Sequence, residues 1–404
     1  MLLVRGHVAG PDKLRVLSLY EGFFAGGARV LHSAVVAGLQ AGGAQQHSVL
    51  SIHRAMRRET MVQKMENDSS YQLLRGAGVP VSSLIRRFGG TGHLVAISAA
   101  AHATAARHAA RADVILSLKE QPLRLINQVG FPRTPVIACL HRSDPENQQG
   151  ALDELRTAVA DGRIAAIVCC AESTRAAYQA AGIPGSLLHV IPNGVDLERF
   201  RPAPGRVRGA LRRSLALPAR AKVIAFAARY DGMKNVPLFL AAARVFLTRE
   251  RTGHVLMCGA GMNADNADLR RDIETCFAGA SALLPRLRLL GLRPDMPSVY
   301  AAADVVALTS RVGEAAPLCL IEGAMCGAVP VTTDVGDAAD IVAGLGFVTP
   351  PDPEAIATAW TAAADRRAEL APVLAASRER FSQTRMIAAY AGLITMIRAS
   401  SMSV

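Results

Sequence analysis

One stretch of the chain decides the fold: Lys222-Val-Ile-Ala-Phe-Ala-Ala228, followed by Arg229-Tyr-Asp-Gly-Met-Lys234-Asn235-Val-Pro237. The small and apolar residues after Lys222 predict a short buried strand, and an apolar-periodic run over residues 238–247 predicts a helix. Between them, Asn235 can cap the helix and Pro237 can open it. The stretch therefore predicts a strand, a tight loop and a helix, which is the repeating unit of parallel α/β sheets.

The loop of this unit carries two cations. Arg229 is predicted at the carboxyl end of the strand, and Lys234 is predicted beside the N-terminus of the helix. A helix N-terminus presents free N–H groups, arginine makes forked contacts to phosphate, and lysine acts as a point charge. The loop can therefore hold a diphosphate without a metal ion. The alternative is a solvated turn with ordinary surface charges.

The alternation of strand and helix extends along the chain. In the first half, strands are predicted over residues 14–19, 47–52, 113–118, 134–140, 164–170 and 188–191, and helices over residues 29–40, 93–110 and 173–181. In the second half, strands are predicted near residues 223, 254, 287, 305 and 329, and helices from residues 237, 296, 317 and 353. At 404 residues the chain is long enough for two such domains, and the Pro- and Arg-rich segment 200–218 is the expected linker region.

Two glutamates lie in the stretch Arg311-Val-Gly-Glu-Ala-Ala-Pro-Leu-Cys-Leu-Ile-Glu-Gly-Ala-Met-Cys-Gly327. Pro317 suits the first position of a helix and Gly327 its left-handed end, so Glu314 is predicted in the loop before the helix and Glu322 near its middle. Carboxylates so placed can contact one hydroxyl-rich ligand at two points, beside the free N–H groups of a helix N-terminus. A nucleotide sugar has that character. The alternative is a pair of unrelated surface glutamates.

Two glycine-containing loops follow predicted strands. Gly26 and Gly27 precede the first helix, where a flexible backbone can approach a phosphate or a sugar closely. The surrounding Gly22-Phe-Phe-Ala-Gly-Gly lacks the Gly-x-Gly-x-x-Gly spacing of nicotinamide-binding proteins, and a plain tight turn is the alternative. In Cys258-Gly-Ala-Gly261, the glycines Gly259 and Gly261 let the loop pass close to a nucleotide.

Taken together, these pieces resemble the retaining glycosyltransferases of family 4, which have the GT-B fold. The matching pieces run in the family's order: Gly26-Gly27, Val190-Ile-Pro-Asn-Gly-Val-Asp196, the Arg229 and Lys234 pair, Cys258-Gly-Ala-Gly261, Leu290-Gly-Leu-Arg-Pro-Asp295, Tyr300-Ala-Ala-Ala-Asp304, and Glu314 to Glu322. The resemblance covers residues 16 to 395, and its specific motifs lie after residue 190.

The resemblance implies an α/β chain of the GT-B fold, with two Rossmann-like domains that face each other across a cleft. The N-terminal, acceptor-side domain is then expected over residues 1–198, and the nucleotide-sugar-binding domain over residues 199–383. In the GT-B fold the final helix returns to the first domain, and residues 384–404 are expected to do so.

By this resemblance, the catalytic residues are Arg229, Lys234, Glu314 and His141. The two cations stabilise the leaving diphosphate, Glu314 contacts the sugar hydroxyls, and His141 faces the donor sugar. Glu322 contacts the ribose hydroxyls. The other expected donor-binding positions are Gly26, Gly27, Gly259, Gly261, Arg293, Ala315, Ala316 and Leu318, with the backbone around Arg293 meeting the base. Many relatives have glycine where this chain has Ala315, and the added methyl group would hinder a close approach of the backbone to the sugar.

The function that the resemblance implies is transfer of a sugar from a nucleoside diphosphate to a glycan or lipid-linked acceptor, with retention at the anomeric carbon, in bacterial polysaccharide or glycolipid synthesis. Two alternatives stay open. A nucleotide-sugar 2-epimerase would share the architecture, but it would need further acid/base carboxylates, which the sequence does not identify. A non-catalytic partner subunit would keep the fold, but it would not need both cations and both glutamates.

Composition limits where the chain can be located and which metal or disulfide sites it can contain. No apolar run reaches the roughly 18 to 20 residues that span a bilayer, and residues 1–13 lack a signal-peptide core, so the chain is expected in the cytoplasm. The seven cysteines include no Cys-x-x-Cys pair and are expected to be reduced core residues. We expect no cofactor, no metal site and metal-independent activity.

The formal net charge of +12 is concentrated in two places. Residues 54–111 contain nine basic and three acidic residues, and residues 199–222 contain eight basic residues and no acidic one. Proteins that bind single-stranded nucleic acid use aromatic side chains as base-stacking platforms, and this chain has a single Trp and few other aromatic residues. The composition therefore argues against nucleic acid as the partner. An anionic membrane surface is therefore the favoured partner of the basic patches, which places the chain on the inner face of the cell membrane. A basic surface with no partner is the alternative.

Overall fold

A computed structural model describes residues 13–24, 26–58, 61–85, 97–147 and 150–401. Two parallel sheets contain most of its strands. The strands are β1 Leu14–Tyr20, β2 Gln45–His53, β3 Ala55–Arg58, β4 Met61–Lys64, β5 Val81–Ile85, β6 Val114–Leu118, β7 Val136–Leu140, β8 Ile164–Cys169, β9 Leu188–Val190, β10 Lys222–Ala227, β11 Gly253–Cys258, β12 Leu287–Gly291, β13 Val305–Leu308, β14 Val329–Thr333 and β15 Phe347–Thr349. Every predicted strand is present, and the short strands β3, β4, β5 and β15 were not predicted.

The helices fall between the strands. They are α1 Gly27–Ala41, α2 Ser69–Gly76, α3 Ala99–Ala109, α4 Leu123–Ile126, α5 Ala151–Ala160, α6 Glu172–Ala180, α7 Gly205–Ser214, α8 Val236–Arg249, α9 Ala267–Cys276, α10 Met296–Ala302, α11 Leu318–Met325, α12 Ala338–Val342, α13 Pro353–Asp365, α14 Arg367–Ala376 and α15 Gln383–Ser401. The predicted helix over residues 93–110 corresponds to α3, and its first residues lie outside the described part of the chain.

The first sheet has seven strands in the order β5-β2-β1-β6-β7-β8-β9. Strand β1 pairs in parallel with β2 on one side and β6 on the other. Strand β6 is buried along its whole length, as expected of a parallel sheet covered on both faces. Strands β3 and β4 form a separate antiparallel pair.

The second sheet has six strands in the order β12-β11-β10-β13-β14-β15. Strand β10 pairs in parallel with β11 and β13, so the order of the strands reverses between β10 and β13. Phe226 of β10 stacks on Phe239 of α8 with ring centroids 4.1 Å apart, and Trp360 of α13 lies 5.2 Å from Phe239. This aromatic core holds α8 and α13 against the sheet and leaves the carboxyl ends of the strands to carry the loops.

The chain divides into two compact units. The first consists of Met1–Leu140, Gln149–Val168 and Ile387–Val404, and the second of His141–Gln148 and Cys169–Met386. This division groups residues 169–198 with the second unit, although β9 and Cys169, the last residue of β8, belong to the first sheet. The predicted domain boundary after residue 198 therefore stays a prediction.

The expected linker, residues 200–218, contains a packed helix instead. Arg212 of α7 has only 4% of its side chain exposed and donates 2.7 Å to Asp304 Oδ2, while Arg208 donates 2.6 Å to Asp304 Oδ1. Asp304 also accepts from the backbone N–H of Val223 at 2.8 Å. These arginines of the second basic run are therefore bound within the fold, because one buried carboxylate attracts both.

Candidate active site

The candidate site lies in the second unit, where the strand order of its sheet reverses. Arg229 follows β10, Lys234 ends the short 3-10 turn Gly232–Lys234, and Glu314 lies in the loop between β13 and α11. Loops at the carboxyl ends of two strands that diverge at such a point leave a crevice between them. Sequence reasoning predicted these positions, and the fold brings the two loops together.

The centre of the site is an ion pair. Lys234 Nζ donates to Glu314 Oε1, and Ser310 Oγ donates to the same oxygen at 2.6 Å. The Lys234 and Glu314 side chains are only 17% and 10% exposed. Within the described chain, no side chain donates to Oε2 of Glu314. The pair thus combines a shielded cation with a carboxylate whose second oxygen has no described side-chain donor.

Arg229 is held differently from the way the sequence suggested. Its guanidinium makes an ion pair of 3.0 Å with Asp231, whose other carboxylate oxygen accepts from the backbone N–H of Met233 at 3.0 Å. Asp231 therefore braces the loop from Arg229 to Lys234 and balances one of its two cations. Sequence reasoning missed Asp231, although its spacing of two residues from Arg229 was visible.

Asn235 does not cap α8 with its side chain. Its backbone adopts the left-handed conformation, with φ of 51°, and makes the turn into the helix. Pro237 lies in the first turn of α8, as predicted. Pro317 precedes α11, whose first residue is Leu318, and so stands one position before the predicted one. Neither correction moves Lys234 or Glu314 away from the helix N-termini.

Glu322 lies in the middle of α11, as predicted. The hydroxyl of Tyr300 donates 3.1 Å to Glu322 Oε2. Burial raises the pKa of Glu322 to about 7, against the lowering effects of that hydrogen bond and of the positive charge of Arg199. The side chain is therefore close to half ionised at neutral pH, which makes any ligand contact through it sensitive to pH.

A short segment missed by sequence reasoning packs on the loop of Glu314. Ser143 Oγ donates to the backbone carbonyl of Glu314. Arg142 binds Asp144 through two hydrogen bonds of 2.6 and 2.5 Å and donates 3.6 Å to the sulfur of Met233. These contacts hold the two loops of the site in place. The only signal in the sequence was the position of these residues directly after a strand.

Glycine at position 313 allows the side chains of Met233 and Arg142 to pack closely against the loop of Glu314. Its φ is 74°, and a Cβ atom there would lie 2.5 Å from the terminal methyl of Met233 and 3.0 Å from a guanidinium nitrogen of Arg142. Both the backbone conformation and the space thus require glycine. His141 follows β7 directly, as predicted, and its contact with a donor sugar stays a prediction.

The glycine loop after β11 approaches protein backbone. Gly259 has φ of 134°, and a Cβ atom there would lie 2.0 Å from the carbonyl oxygen of Ala228. Gly261 has φ of 75°. The first glycine is therefore needed for the contact between the ends of β10 and β11, whatever the loop binds. Arg293 forms a forked ion pair with Asp295 at 2.8 and 2.7 Å, which lowers the pKa of Asp295.

The remaining predicted positions also have defined places. Gly26 precedes α1 in the first unit, and a Cβ atom there would meet no described atom within 4 Å. Ala315 is buried, and its carbonyl accepts from the backbone N–H of Asp337 at 2.8 Å. The carbonyl of Ala316 accepts 2.9 Å from Asn193. The roles of these positions, and of Leu318, toward a donor stay predictions.

Two kinds of feature are absent from the described residues. No group of three or more His, Cys, Asp or Glu side chains there has an arrangement that would hold a metal ion. No described helix combines the length and the hydropathy needed to cross a bilayer. The basic stretch over residues 54–111 includes Arg86 and Arg87, which lie outside the described residues, so its surface is only partly defined.

Comparison with family models gives two matches in chain order. A model described as Glycosyltransferase Family 4 matches residues 26–199, and one described as Glycosyl transferases group 1 matches residues 221–365. Together they include every predicted site residue.

Curated relatives match over shorter regions. A D-inositol 3-phosphate glycosyltransferase of Corynebacterium jeikeium is 33% identical over 153 residues, which is 37% of this chain and 36% of that protein. A UDP-Gal:alpha-D-GlcNAc-diphosphoundecaprenol alpha-1,3-galactosyltransferase of Escherichia coli is 30% identical over 149 residues, or 37% of each chain. The matched region thus spans little more than a third of these relatives.

Solved structures match over nearly the whole chain. The crystal structure of Anabaena Alr3699/HepE in complex with UDP has a TM-score of 0.77 and 20% identity, and covers 95% of this chain and 100% of that one. The structure of the same protein in complex with UDP-glucose has a TM-score of 0.76 and 20% identity, and the match covers 97% of this chain and 100% of that one. At this identity the likeness concerns the fold, and it confirms the predicted GT-B class.

Proposed function

The chain belongs to the glycosyltransferases of family 4, and we propose that it transfers a sugar from a nucleoside diphosphate to a glycan or lipid-linked acceptor with retention at the anomeric carbon. The observation that carries this proposal is the shielded pair of Lys234 and Glu314 at the reversal point of the second sheet. A fixed cation beside a carboxylate with a free oxygen suits a ligand that is anionic at one end and rich in hydroxyls at the other.

Each residue has a role that its surroundings support. Lys234 neutralises the charge that grows on the leaving diphosphate, a contribution that is large in a water-poor site. Glu314 accepts from sugar hydroxyls through Oε2 while Oε1 is held by Lys234 and Ser310. Arg229, positioned by Asp231, supplies the second cation. Glu322 accepts from the ribose hydroxyls in its ionised form.

The bond changes need no protein nucleophile. The bond between the anomeric carbon and the phosphate oxygen breaks, and the acceptor oxygen bonds to the same face of that carbon. The acceptor proton passes to the departing phosphate oxygen. The protein therefore contributes by orienting both substrates and by stabilising charge, which matches a site built from two cations, two carboxylates and backbone groups.

The donor and acceptor classes follow from the relatives. Because Alr3699/HepE binds UDP and UDP-glucose, we propose a UDP-sugar as the first donor to test. Because one relative acts on a diphosphoundecaprenol substrate, we propose a lipid-linked or glycan acceptor and a role in bacterial polysaccharide or glycolipid synthesis. The basic residues between positions 54 and 111 would then hold the chain on the cytoplasmic face of an anionic membrane.

The test uses the full chain and a panel of UDP- and GDP-sugars. Calorimetry should detect binding of one nucleoside diphosphate, and incubation with the matching sugar nucleotide should give slow release of the diphosphate without acceptor. Proton NMR of the released sugar or product should show the donor's anomeric configuration. Absence of binding by every nucleotide would refute the proposal, and conversion of one nucleotide sugar into another would indicate the epimerase instead.

A further inference from the structure

The motif Tyr300-Ala-Ala-Ala-Asp304, one of the pieces that carry the family resemblance, makes a specific contact at each end. Asp304 binds the two arginines of α7. Tyr300, at the other end, is a residue of α10 that is only 1% exposed, and its hydroxyl donates 3.1 Å to Glu322 Oε2. The motif therefore brings a buried phenol to the carboxylate that we assign to the ribose.

The two carboxylate oxygens of Glu322 have different surroundings. Oε2 is occupied by the hydroxyl of Tyr300. Oε1 accepts no hydrogen bond from the described chain, and it retains accessible surface on a residue that is half-buried. A ligand can therefore reach Oε1, and a carboxylate oxygen is a strong acceptor for the hydroxyls of a diol.

The other polar groups around Glu322 are less able to orient its carboxylate. The thiols of Cys319 and Cys326 stand three residues before and four residues after it, and burial raises the pKa of both to about 12, so they are neutral and donate weakly. Arg199, in the segment between β9 and α7, acts on Glu322 through its charge. Its guanidinium donates 3.4 Å to a backbone carbonyl of the loop after β12 instead.

The ring of Tyr300 is itself held in place. Its centroid lies 6.4 Å from that of Phe200, which is also buried. Burial raises the pKa of Tyr300 well above its usual value, so the hydroxyl keeps its proton and remains a donor. A fixed donor on one oxygen reduces the number of rotamers open to the carboxylate. Order that exists before the ligand arrives lowers the cost of binding it.

We propose that Tyr300 is a positioning residue for donor binding: its hydroxyl holds Glu322 through Oε2 in the orientation in which Oε1 accepts from the ribose hydroxyls of the nucleotide. This inference deepens the proposed glycosyltransferase function and rests on it. Tyr300 acts through Glu322 in two ways. It fixes the direction of the carboxylate, and it favours the ionised form, because a hydrogen bond donated to a carboxylate stabilises the charge.

The test compares nucleotides with and without ribose hydroxyls, using the full chain. Calorimetry gives the Kd for UDP and for 2′,3′-dideoxy-UDP at pH 7 and pH 8.5, or for the guanosine pair where the parent binds GDP. The variant is Tyr300→Phe, which keeps the ring and removes the hydroxyl. The matched control is Tyr20→Phe in the first unit, because Tyr20 is also fully buried and its hydroxyl lies 2.9 Å from Ser33 Oγ. Thermal unfolding confirms that both variants fold.

The parent should bind UDP more tightly than the dideoxy form. At pH 7, Tyr300→Phe should reduce this preference about fivefold, the loss expected for one hydrogen bond. Because the lost hydrogen bond lowers the pKa of Glu322, more of the carboxyl group is protonated in the variant at pH 7, and the deficit should narrow at pH 8.5. Tyr20→Phe should keep the parent's preference at both pH values. In a Glu322→Gln background, Tyr300→Phe should change the preference by less than about twofold, since the two residues act as one unit.

Three results overturn the positioning role alone: a preference in Tyr300→Phe equal to the parent's, a deficit of the same size at both pH values, or an equal deficit in Tyr20→Phe. An additive effect in the double variant does so too, since Tyr300 would then act by another route. A parent that binds UDP and its dideoxy form equally removes the ribose contact of Glu322 and the inference with it. A parent that binds no nucleoside diphosphate contradicts the proposed function instead.

Discussion

Replacing Lys234 with Met should remove most of the catalytic rate while leaving nucleotide binding nearly intact. Methionine has a similar length and volume but no charge, so the change isolates the electrostatic contribution. Lys234 lies in a shielded position, 17% exposed, with its charge directed at Glu314 and at the space beside it. The fold should survive, because the ion pair is at the carboxyl edge of the sheet and not in its core.

The magnitude follows from Coulomb's law. A unit charge about 4 Å from the ammonium group, at an effective dielectric constant of about 20, interacts with it by roughly 4 kcal/mol. Since only part of a unit charge develops on the leaving phosphate, about 2 to 4 kcal/mol of transition-state stabilisation should be lost. This corresponds to a fall in kcat of about 30- to 1,000-fold. The diphosphate carries most of its charge before reaction, and Arg229 remains, so the Kd for UDP should rise less, by about fivefold.

The assay is steady-state kinetics with the identified donor and acceptor, together with calorimetry for UDP. Lys222→Met is the matched control, since Lys222 begins the same strand, β10, and binds Glu250 at 3.1 Å and Asp365 at 2.8 Å. It should lower the free energy of unfolding slightly and leave kcat unchanged. A kcat for Lys234→Met within about threefold of the parent, or an equal loss in Lys222→Met, would refute the reasoning.

Four further predictions test other parts of the structure. The ionised form of Glu322 is the better hydrogen-bond acceptor, and the pKa of Glu322 is about 7. The affinity of the parent for UDP should therefore rise between pH 6 and 8 by up to about tenfold more than the affinity of Glu322→Gln. If calorimetry gives parallel pH profiles for the parent and the variant, Glu322 does not have this role. Asp304→Ala should lower the free energy of unfolding by about 3 to 5 kcal/mol in urea titrations, because it leaves the buried Arg212 guanidinium with backbone carbonyl partners but no counter-charge. A loss below about 1 kcal/mol would show that the carbonyls alone are sufficient partners. Burial lowers the pKa of His32 to about 3 and that of His47 to about 4, so both side chains are neutral in the folded chain, whereas in the unfolded chain they protonate near pH 6.5. The free energy of unfolding should therefore be full above pH 6.5 and fall by about 2 kcal/mol for each histidine between pH 7 and 5. In urea titrations His47→Gln should roughly halve this fall. Transfer activity should persist in excess EDTA, since two cations and the helix N-termini can neutralise the diphosphate, and a complete loss reversed by added metal would exclude this mechanism.

Sequence by itself determined most of the elements and the positions of the main candidate site residues. The strand–loop–helix pattern from Lys222 onward predicted β10 and α8, because burial on both faces demands continuous apolar runs and a helix demands a 3.6-residue period. The same local rules placed Lys234 before α8, Glu314 before α11 and Glu322 within it. Such features depend on neighbours in the chain, so one sequence is enough to read them.

Only the tertiary structure decided which groups meet. It paired Arg229 with Asp231, brought Ser143 onto the loop of Glu314, and turned the expected linker into a helix bound to Asp304. It also showed that Gly259 is required by the carbonyl of Ala228 and that Thr349 is buried without a partner. These contacts join residues that are distant in the chain or depend on exact backbone dihedral angles. Periodicity and spacing carry no information about the contacts between distant residues, because these arise only when strands from different parts of the chain align in one sheet.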